Sequence, residues 1–442
     1  MSVQLSDHFT YKKLFRFTLP PIIMMIFTSI YGVVDGYFVS NYVGKTPFAA
    51  VNLIYPFLML LGAFGFMFGS GGSALIAKTL GEGDKIKARK LFSLFIYVSI
   101  VLAIIIMVVS FFCLRPIAIL LGAEGELIDY CVTYGQILLV ALPFFILQFE
   151  FQTFFITAEK PGLGLFVTIF SGVTNMVLDY VFLAIFDWGL PGAAWATAGS
   201  QIVGGVISLV YFALPNKSLL RLTATGMDIK ALVKACTNGA SEFVTNISMS
   251  LVSMLYNFQL MRYAGENGVA TYGVLMYVSF VFVAIFLGYS VGVAPVVSFH
   301  FGAKHPKELK NLLKKSCIII VAFSIVMLIA GELLATPLSL LYVGYDPELF
   351  DMTQKAFLIY SFSFLFTGVG IFGSAFFTAL NDGLVSAIIS FLRTFLFQVV
   401  AVLLLPLLWG LEGIWCAVIV AELLATVVTV AFLLANKKKY GY

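Results

Sequence analysis

The chain has 442 residues, of which 61% are hydrophobic and 11% are charged. Soluble domains average about 45–50% apolar and about 25% charged residues, so this composition excludes a soluble globular protein. It predicts an all-α integral membrane protein that crosses the bilayer many times. The net charge of +4 is only a small basic excess, and we expect no nucleic-acid partner.

Twelve apolar stretches follow one another along the chain, and each is long enough for a spanning helix, which needs about 20 residues. The first lacks the charged start and small-residue cleavage site of a signal peptide, so we expect it to direct insertion itself. An even number of spans places both ends of the chain on one side. The stretches cover residues 14–40, 48–78, 91–114, 127–157, 163–186, 190–214, 231–263, 269–299, 315–336, 350–379, 384–408 and 411–435.

Basic residues lie mostly on one side of this arrangement. Of the 26 Lys and Arg residues, 21 fall in the connections on the same side as the two termini. Basic connections stay in the cytoplasm, so we expect a multi-pass protein of the cell membrane with both termini cytoplasmic. The five cysteines are scattered without a C-x-x-C pair, which predicts neither a disulfide framework nor a zinc site.

The two halves of the chain are related by an internal repeat. One constant offset, the one that takes Gly189 to Gly410, superposes glycines, prolines and a W-G-L-x-G motif without gaps. It predicts two pseudo-symmetric six-helix lobes, 1–214 and 231–442, joined by a cytoplasmic linker at 215–230. Residues related by this offset are called equivalent; they include Gly44 and Gly265, Gly71 and Gly292, Gly81 and Gly302, and Pro116 and Pro337.

Four polar residues at membrane depth occur in the first half and are replaced in the second. Asn175 and Asp179 are four residues apart, so they share one face of a helix. Carboxylates within the bilayer are costly and usually functional, although a structural hydrogen bond to a neighbouring helix is the alternative. The equivalent pairs are Asp35 and Tyr256, Asn175 and Leu396, Asp179 and Val400, and Thr197 and Val418.

These four residues lie at similar depths in the predicted spans. At 1.5 Å per residue, Asp35, Asp179 and Thr197 are roughly 7–11 Å below the outer surface. One cluster in the outer half of the first lobe is therefore compatible with the spacing. Two carboxylates at close range in a low dielectric predict that one is protonated or that a cation lies between them.

Ordered sequence motifs give a family resemblance that covers nearly the whole chain. They are VVDGYFVSNYVG (33–44), GGSALIAKTLGEGD (71–84), TNMVLDY (174–180) and GLPGAAWAT (189–197). The set resembles the multidrug and toxic compound extrusion (MATE) transporters, and SEFVTN (241–246) resembles the MepA-like branch. The resemblance implies two six-helix bundles around a central cleft, and export of drugs and organic cations driven by proton or sodium entry.

The resemblance also implies roles for particular residues. In members with a cation site in the first lobe, the motif residues matching Asp35, Asn175, Asp179 and Thr197 form it, as metal ligands if sodium is the coupling ion. Other members use a carboxylate in the seventh helix, for which Glu242 is the nearest match.

Further charged and aromatic residues at membrane depth are candidates for the substrate cleft or for an ion pair. Glu242 and Glu150 are candidates for the substrate cleft. The alternative for Glu242 is a purely structural role, and the alternative for Glu150 is snorkelling with hydrogen bonds to Gln148 and Gln152. Tyr37 and Tyr256 are among the aromatics that, if they face the cleft, offer cation–π contacts to flat cations. Arg393 needs a partner, and we expect a structural ion pair with Glu242 or Glu150.

Two other functions remain as alternatives. A flippase or exporter of a lipid-linked or other amphiphilic metabolite, from the same superfamily, would be expected to line its cleft with several Arg or Lys, and only Arg393 is available. An enzyme is disfavoured because no catalytic or Walker A motif is present. We therefore expect a monomeric cation-coupled antiporter without cofactors, whose partners are amphiphilic or cationic small molecules and membrane lipids.

Overall fold

A computed structural model describes residues 3–442, and every regular element in that range is helical. The twelve predicted spans are confirmed. The first six helices are α1 Tyr11–Tyr42, α2 Lys45–Gly81, α3 Lys85–Leu120, α4 Glu126–Thr157, α5 Pro161–Asp179, which a π-helical turn Tyr180–Ile185 extends, and α6 Gly189–Ala213.

The last six helices include two long helical stretches that are broken by glycine. Ile229–Gly302 divides at Gly265 into α7 (229–264) and α8 (266–302). Next come α9 Pro306–Val343 and α10, which consists of Pro347–Ser361 and Phe364–Ala379 with a 50° bend between them. Helix α11 begins with Gly383–Phe391, passes through the π turn Leu392–Leu396 and ends before Gly410, where α12 (411–440) begins.

The internal repeat is visible in the backbone at the turns. Gly265 and Gly410 adopt φ angles of 62° and 56°, in the left-handed region that favours glycine. Their equivalents in the first half, Gly44 and Gly189, have φ angles of 95° and 58°. Both six-helix bundles therefore turn at equivalent glycines, as the sequence repeat predicts.

The two bundles meet mainly near the face where α1 begins and α12 ends, which we call the terminal face; the opposite one is the far face. A Cβ atom at Gly71 on α2 would lie 2.0 Å from the carbonyl oxygen of Ala235 on α7. A Cβ at Gly288 on α8 would lie 2.5 Å from the Cα of Ile22 on α1. Gly36 on α1, nearer the far face, has no such neighbour within 4 Å. Close backbone packing thus joins the bundles at the terminal face.

The segment before α1 runs along the terminal face and connects the two bundles. Leu5 and Phe9 are fully buried. The Leu5 amide donates a 2.6 Å hydrogen bond to Glu159, in the connection between α4 and α5. The Phe9 amide donates a 3.0 Å hydrogen bond to Glu308 on α9. This segment therefore holds one bundle against the other.

The connection between the bundles, residues 214–228, is attached to α3 over most of its length. Leu220 is fully buried, and the Arg89 Nε donates a 3.0 Å hydrogen bond to the carbonyl oxygen of Leu219. The Thr223 amide donates a 2.8 Å hydrogen bond to the Ser93 hydroxyl. The part of the connection up to Thr223 therefore packs as part of the first bundle.

Candidate cation-binding site

Three helices of the first bundle bring Asp35, Asn175 and Thr197 together. The Asn175 side-chain amide on α5 donates a 3.2 Å hydrogen bond to Oδ1 of Asp35 on α1. The Thr197 hydroxyl on α6 donates a 3.2 Å hydrogen bond to the same oxygen. Asp35 lies seven residues before the end of α1, roughly 10 Å from the far face. This geometry agrees with the prediction that Asp35, Asn175 and Thr197 lie close together.

Asp179 completes the cluster from the last α-helical position of α5. Its side chain is fully buried and its carboxyl faces that of Asp35. Neither of its oxygens has a hydrogen-bond partner among the described residues, and the Oδ1 of Asn175 also lacks one. The π-helical turn Tyr180–Ile185 follows directly. Such turns inside α-helices are frequent at functional sites.

Close helix packing positions these side chains. A Cβ atom at Gly172 on α5 would lie 2.5 Å from the ring of Phe27 on α1, so glycine allows these two helices to approach. A Cβ at Gly199 on α6 would lie 2.9 Å from Leu178 on α5. Glycine on α5 and on α6 thus makes room for the Phe27 and Leu178 side chains of the neighbouring helices, so that α1, α5 and α6 pack closely around the cluster.

The cluster presents oxygen atoms without a basic partner. In the part of the chain that the structure describes, no Lys, Arg or His nitrogen lies within 4.0 Å of the carboxylates of Asp35 or Asp179. Hard cations take carboxylate, amide and hydroxyl oxygens as ligands. The unpartnered oxygens of Asp179 and Asn175 therefore suit either a sodium ion or a proton shared between the carboxyls.

Tyr134 on α4 is a member of this site that the sequence analysis missed. It is 1% exposed and lies beside Thr197, Asp35 and Asp179. Its equivalent in the second half is Lys355, so the comparison of the two halves that singled out Asp35 would also have singled out Tyr134. Its hydroxyl adds a polar group to the buried side of the cluster.

The four cleft candidates differ in their accessibility. Glu242 on α7 is half-buried and faces Arg393, and Tyr37 on α1 is 61% exposed. Glu150 is fully buried, and Tyr256 is 2% exposed and donates a 2.8 Å hydrogen bond to Gln398. The expectation that Glu150 and Tyr256 line an open cleft is therefore wrong for this conformation, because both side chains point into helix packing.

Arg393 forms an ion pair, but not with the expected partner. Its Nε donates hydrogen bonds of 2.9 and 3.2 Å to the two carboxylate oxygens of Glu422 on α12. The prediction of Glu242 or Glu150 as partner is wrong. Arg393 lies in the π turn of α11, and α12 returns beside α11, so Glu422 is within reach across this antiparallel pair.

Twelve helices in two duplicated bundles, with a partly buried polar cluster in one of them, define a membrane transporter. A family model described as MatE matches the chain twice, over residues 20–181 and 243–404, once in each bundle. The chain belongs to the MatE family, that of the MATE transporters.

Known relatives agree with this assignment over nearly the full length. The chain is 27% identical to "Multidrug export protein MepA" of Staphylococcus saprophyticus, covering 93% of this chain and 91% of the relative. It is 28% identical to the protein of the same name from Staphylococcus haemolyticus, covering 93% and 90%. A solved structure described as an "outward-facing conformation of a multidrug resistance MATE family transporter of the MOP superfamily" has a TM-score of 0.93, 22% identity and 99% coverage of both chains.

Proposed function

We propose that this protein exports drugs and organic cations across the cell membrane by exchanging them for an inward-moving proton or sodium ion. The observation that carries the proposal is the Asp35–Asn175–Asp179–Thr197 cluster, which occurs in only one of two otherwise equivalent bundles and in which Asn175 and Asp179 are buried. A structural role alone gives no reason for two carboxyls to face each other without a countercharge. The multidrug export names of the relatives support the substrate class.

The proposed mechanism is alternating access between the two bundles. The terminal face is the cytoplasmic one, because it holds 21 of the 26 basic residues. In the conformation described, the bundles pack together at that face, so the cluster receives its cation from outside. Cation binding changes the packing of α1 against α5 and α6, lowers the affinity for drug and favours the return to the inward-facing state. Such exchange requires different affinities in the two states.

The substrate is proposed to enter between the bundles rather than within either one. Half-buried Glu242 and exposed Tyr37 are the candidates for contacts to a cationic, flat molecule. The alternative of a flippase for an anionic lipid-linked substrate is disfavoured, since Arg393 is already neutralised by Glu422. We propose transport without catalysis, by a monomer in contact with membrane lipids and needing no cofactor.

The test is ethidium efflux from proteoliposomes with a proton gradient and a sodium gradient imposed separately. We expect one gradient to drive efflux in the wild type. D35N and D179N should abolish gradient-driven efflux, whereas D129N, which changes an exposed carboxylate on α4, should not. Efflux by D35N and D179N at the wild-type rate would contradict the coupling role. Dye movement that ignores both gradients would contradict antiport itself.

A further inference from the structure

A further carboxyl group is buried in the first bundle, away from the carboxyls of Asp35 and Asp179. Glu150 on α4 is fully buried, and neither carboxylate oxygen has a hydrogen-bond partner among residues 3–442. It lies seven residues before the end of α4, roughly 10 Å from the terminal face. Asp35 is at a similar distance from the far face, so the two carboxyls occupy opposite halves of the membrane.

Glu150 faces α2 and α3. A Cβ atom at Gly69 on α2 would lie 3.1 Å from the Cα of Glu150, so α2 packs directly over it. Gln148, two residues earlier and on the opposite side of α4, donates a 3.2 Å hydrogen bond to Ser171 of α5. The side of α4 that carries Glu150 is therefore turned away from α5 and its Asp179.

Among the described residues, the surroundings of Glu150 provide the Ser99 hydroxyl and no countercharge. Ser99 on α3 faces the carboxyl, and its hydroxyl also has no partner in the described structure. No titratable side chain occurs on α2 over 62–76, on α5 over 164–178 or on α6 over 195–210. On α3 over 92–106 there is only Tyr97, which is exposed and bonded to Thr223. Glu242 on α7 faces Arg393 instead.

An ionised carboxylate in this position has neither a cation nor several donors to stabilise it, and such burial is strongly unfavourable. Protonation removes the charge and supplies one O–H donor, for which the Ser99 oxygen is an acceptor. We propose that Glu150 is a second proton-binding site of the first bundle, that it is protonated in this conformation, and that Ser99 is its hydrogen-bond partner. This inference does not depend on the proposed transport function.

The test is infrared spectroscopy of the purified full-length protein at about pH 7, where an exposed glutamate is ionised. The wild-type minus E150Q difference spectrum should contain the carbonyl-stretching band of a protonated carboxyl group. D129N is the control, because Asp129 on the same helix is exposed and paired with Arg115. The wild-type minus D129N difference spectrum should lack the band. Absence of the band with E150Q, or only carboxylate bands, would overturn the proposal.

A second variant keeps the proposal testable if E150Q does not fold. S99A removes only the hydroxyl, so the carboxyl band should persist but shift to the frequency of a less hydrogen-bonded group. D35N and D179N change the candidate cation-binding site, so the carbonyl-stretching band assigned to Glu150 should remain in their spectra. An S99A spectrum identical to that of the wild type would contradict the Ser99 partnership, and with it the site as proposed.

Discussion

Gly81 on α2 and Gly302 on α8 are equivalent positions of the two repeats, and each packs against the other's helix. A Cβ at Gly81 would lie 2.0 Å from the carbonyl oxygen of Phe299, and a Cβ at Gly302 would lie 2.0 Å from that of Lys78. Lys78 and Phe299 are themselves equivalent positions in the sequence. The contact is therefore reciprocal, and the pseudo-twofold axis passes between these two helices at the terminal face.

Gly81→Ala should destabilise this contact, because the added methyl group would overlap the backbone of α8. Overpacking costs about 1–3 kcal/mol, so we expect a lower thermal unfolding temperature in detergent. Gly162→Ala is the matched control, since a Cβ at Gly162 on α5 would have no neighbour within 4 Å. Equal unfolding temperatures for the two variants would show that the bundles are not closely packed at Gly81.

The hydroxyl of Thr197 should contribute to ion coupling. Thr197→Val keeps the side-chain shape but removes the donor to Asp35, and a hydrogen bond to a charged group contributes about 1.5–3 kcal/mol. Ion-driven ethidium efflux should fall about tenfold or more. Thr197→Ser retains the donor and should stay near the wild-type rate. If the valine and serine variants transported equally well, the hydroxyl would have no role.

Removing one member of the Arg393–Glu422 ion pair should destabilise the protein more than removing both. The side chains are 14% and 7% exposed, and breaking a buried ion pair by removing one partner costs about 3–5 kcal/mol. R393M and E422M should each unfold at lower temperature than the wild type, and the double variant should recover much of the loss. Additive losses in the double variant would mean that the two charges are not coupled.

Asp382, in the connection between α10 and α11, should make the stability of the folded protein depend on pH in the acidic range. Burial alone would raise its pKa, but hydrogen bonds from Tyr440 and Lys439 outweigh burial and hold the pKa below the usual range. A lowered pKa stabilises the folded protein above the ordinary aspartate value and loses that effect as pH falls through the folded-state pKa. The unfolding-temperature advantage of wild type over D382N should therefore shrink on acidification. A constant difference between the two proteins would contradict this.

Glu159 should give the stability of the folded protein the opposite pH dependence to that of Asp382. Burial raises its pKa above the usual glutamate value, although the hydrogen bond from the Leu5 amide lowers it in part. A raised pKa favours the folded protein at low pH, and this contribution is lost as pH rises through the folded-state pKa. Relative to wild type, E159Q should therefore gain in unfolding temperature between about pH 4 and about pH 7. A relative loss over that range would mean that the Leu5 hydrogen bond outweighs burial.

The sequence repeat predicts much of this architecture because duplicated helices keep their length and their turn glycines. It also predicts the cluster, since a polar residue that survives in only one copy, such as Asp35 or Asp179, is not explained by the shared fold. The partner of Arg393 was not predictable, because the packing of α12 beside α11 decides it. The burial of Glu150 was not predictable either, since it depends on Gly69 bringing α2 close to α4.

The connection between the bundles limits how far they can move apart. Residues up to Thr223 are held on α3 by Leu220 and by hydrogen bonds, which leaves residues 224–228 as the only slack before α7 begins at Ile229. From Thr223 to Ile229 the chain makes six Cα–Cα steps, which reach at most about 22 Å when fully extended. This short stretch sets an upper bound on the distance between the attached part of the connection and the start of α7, however wide the opening at the opposite side of the membrane becomes.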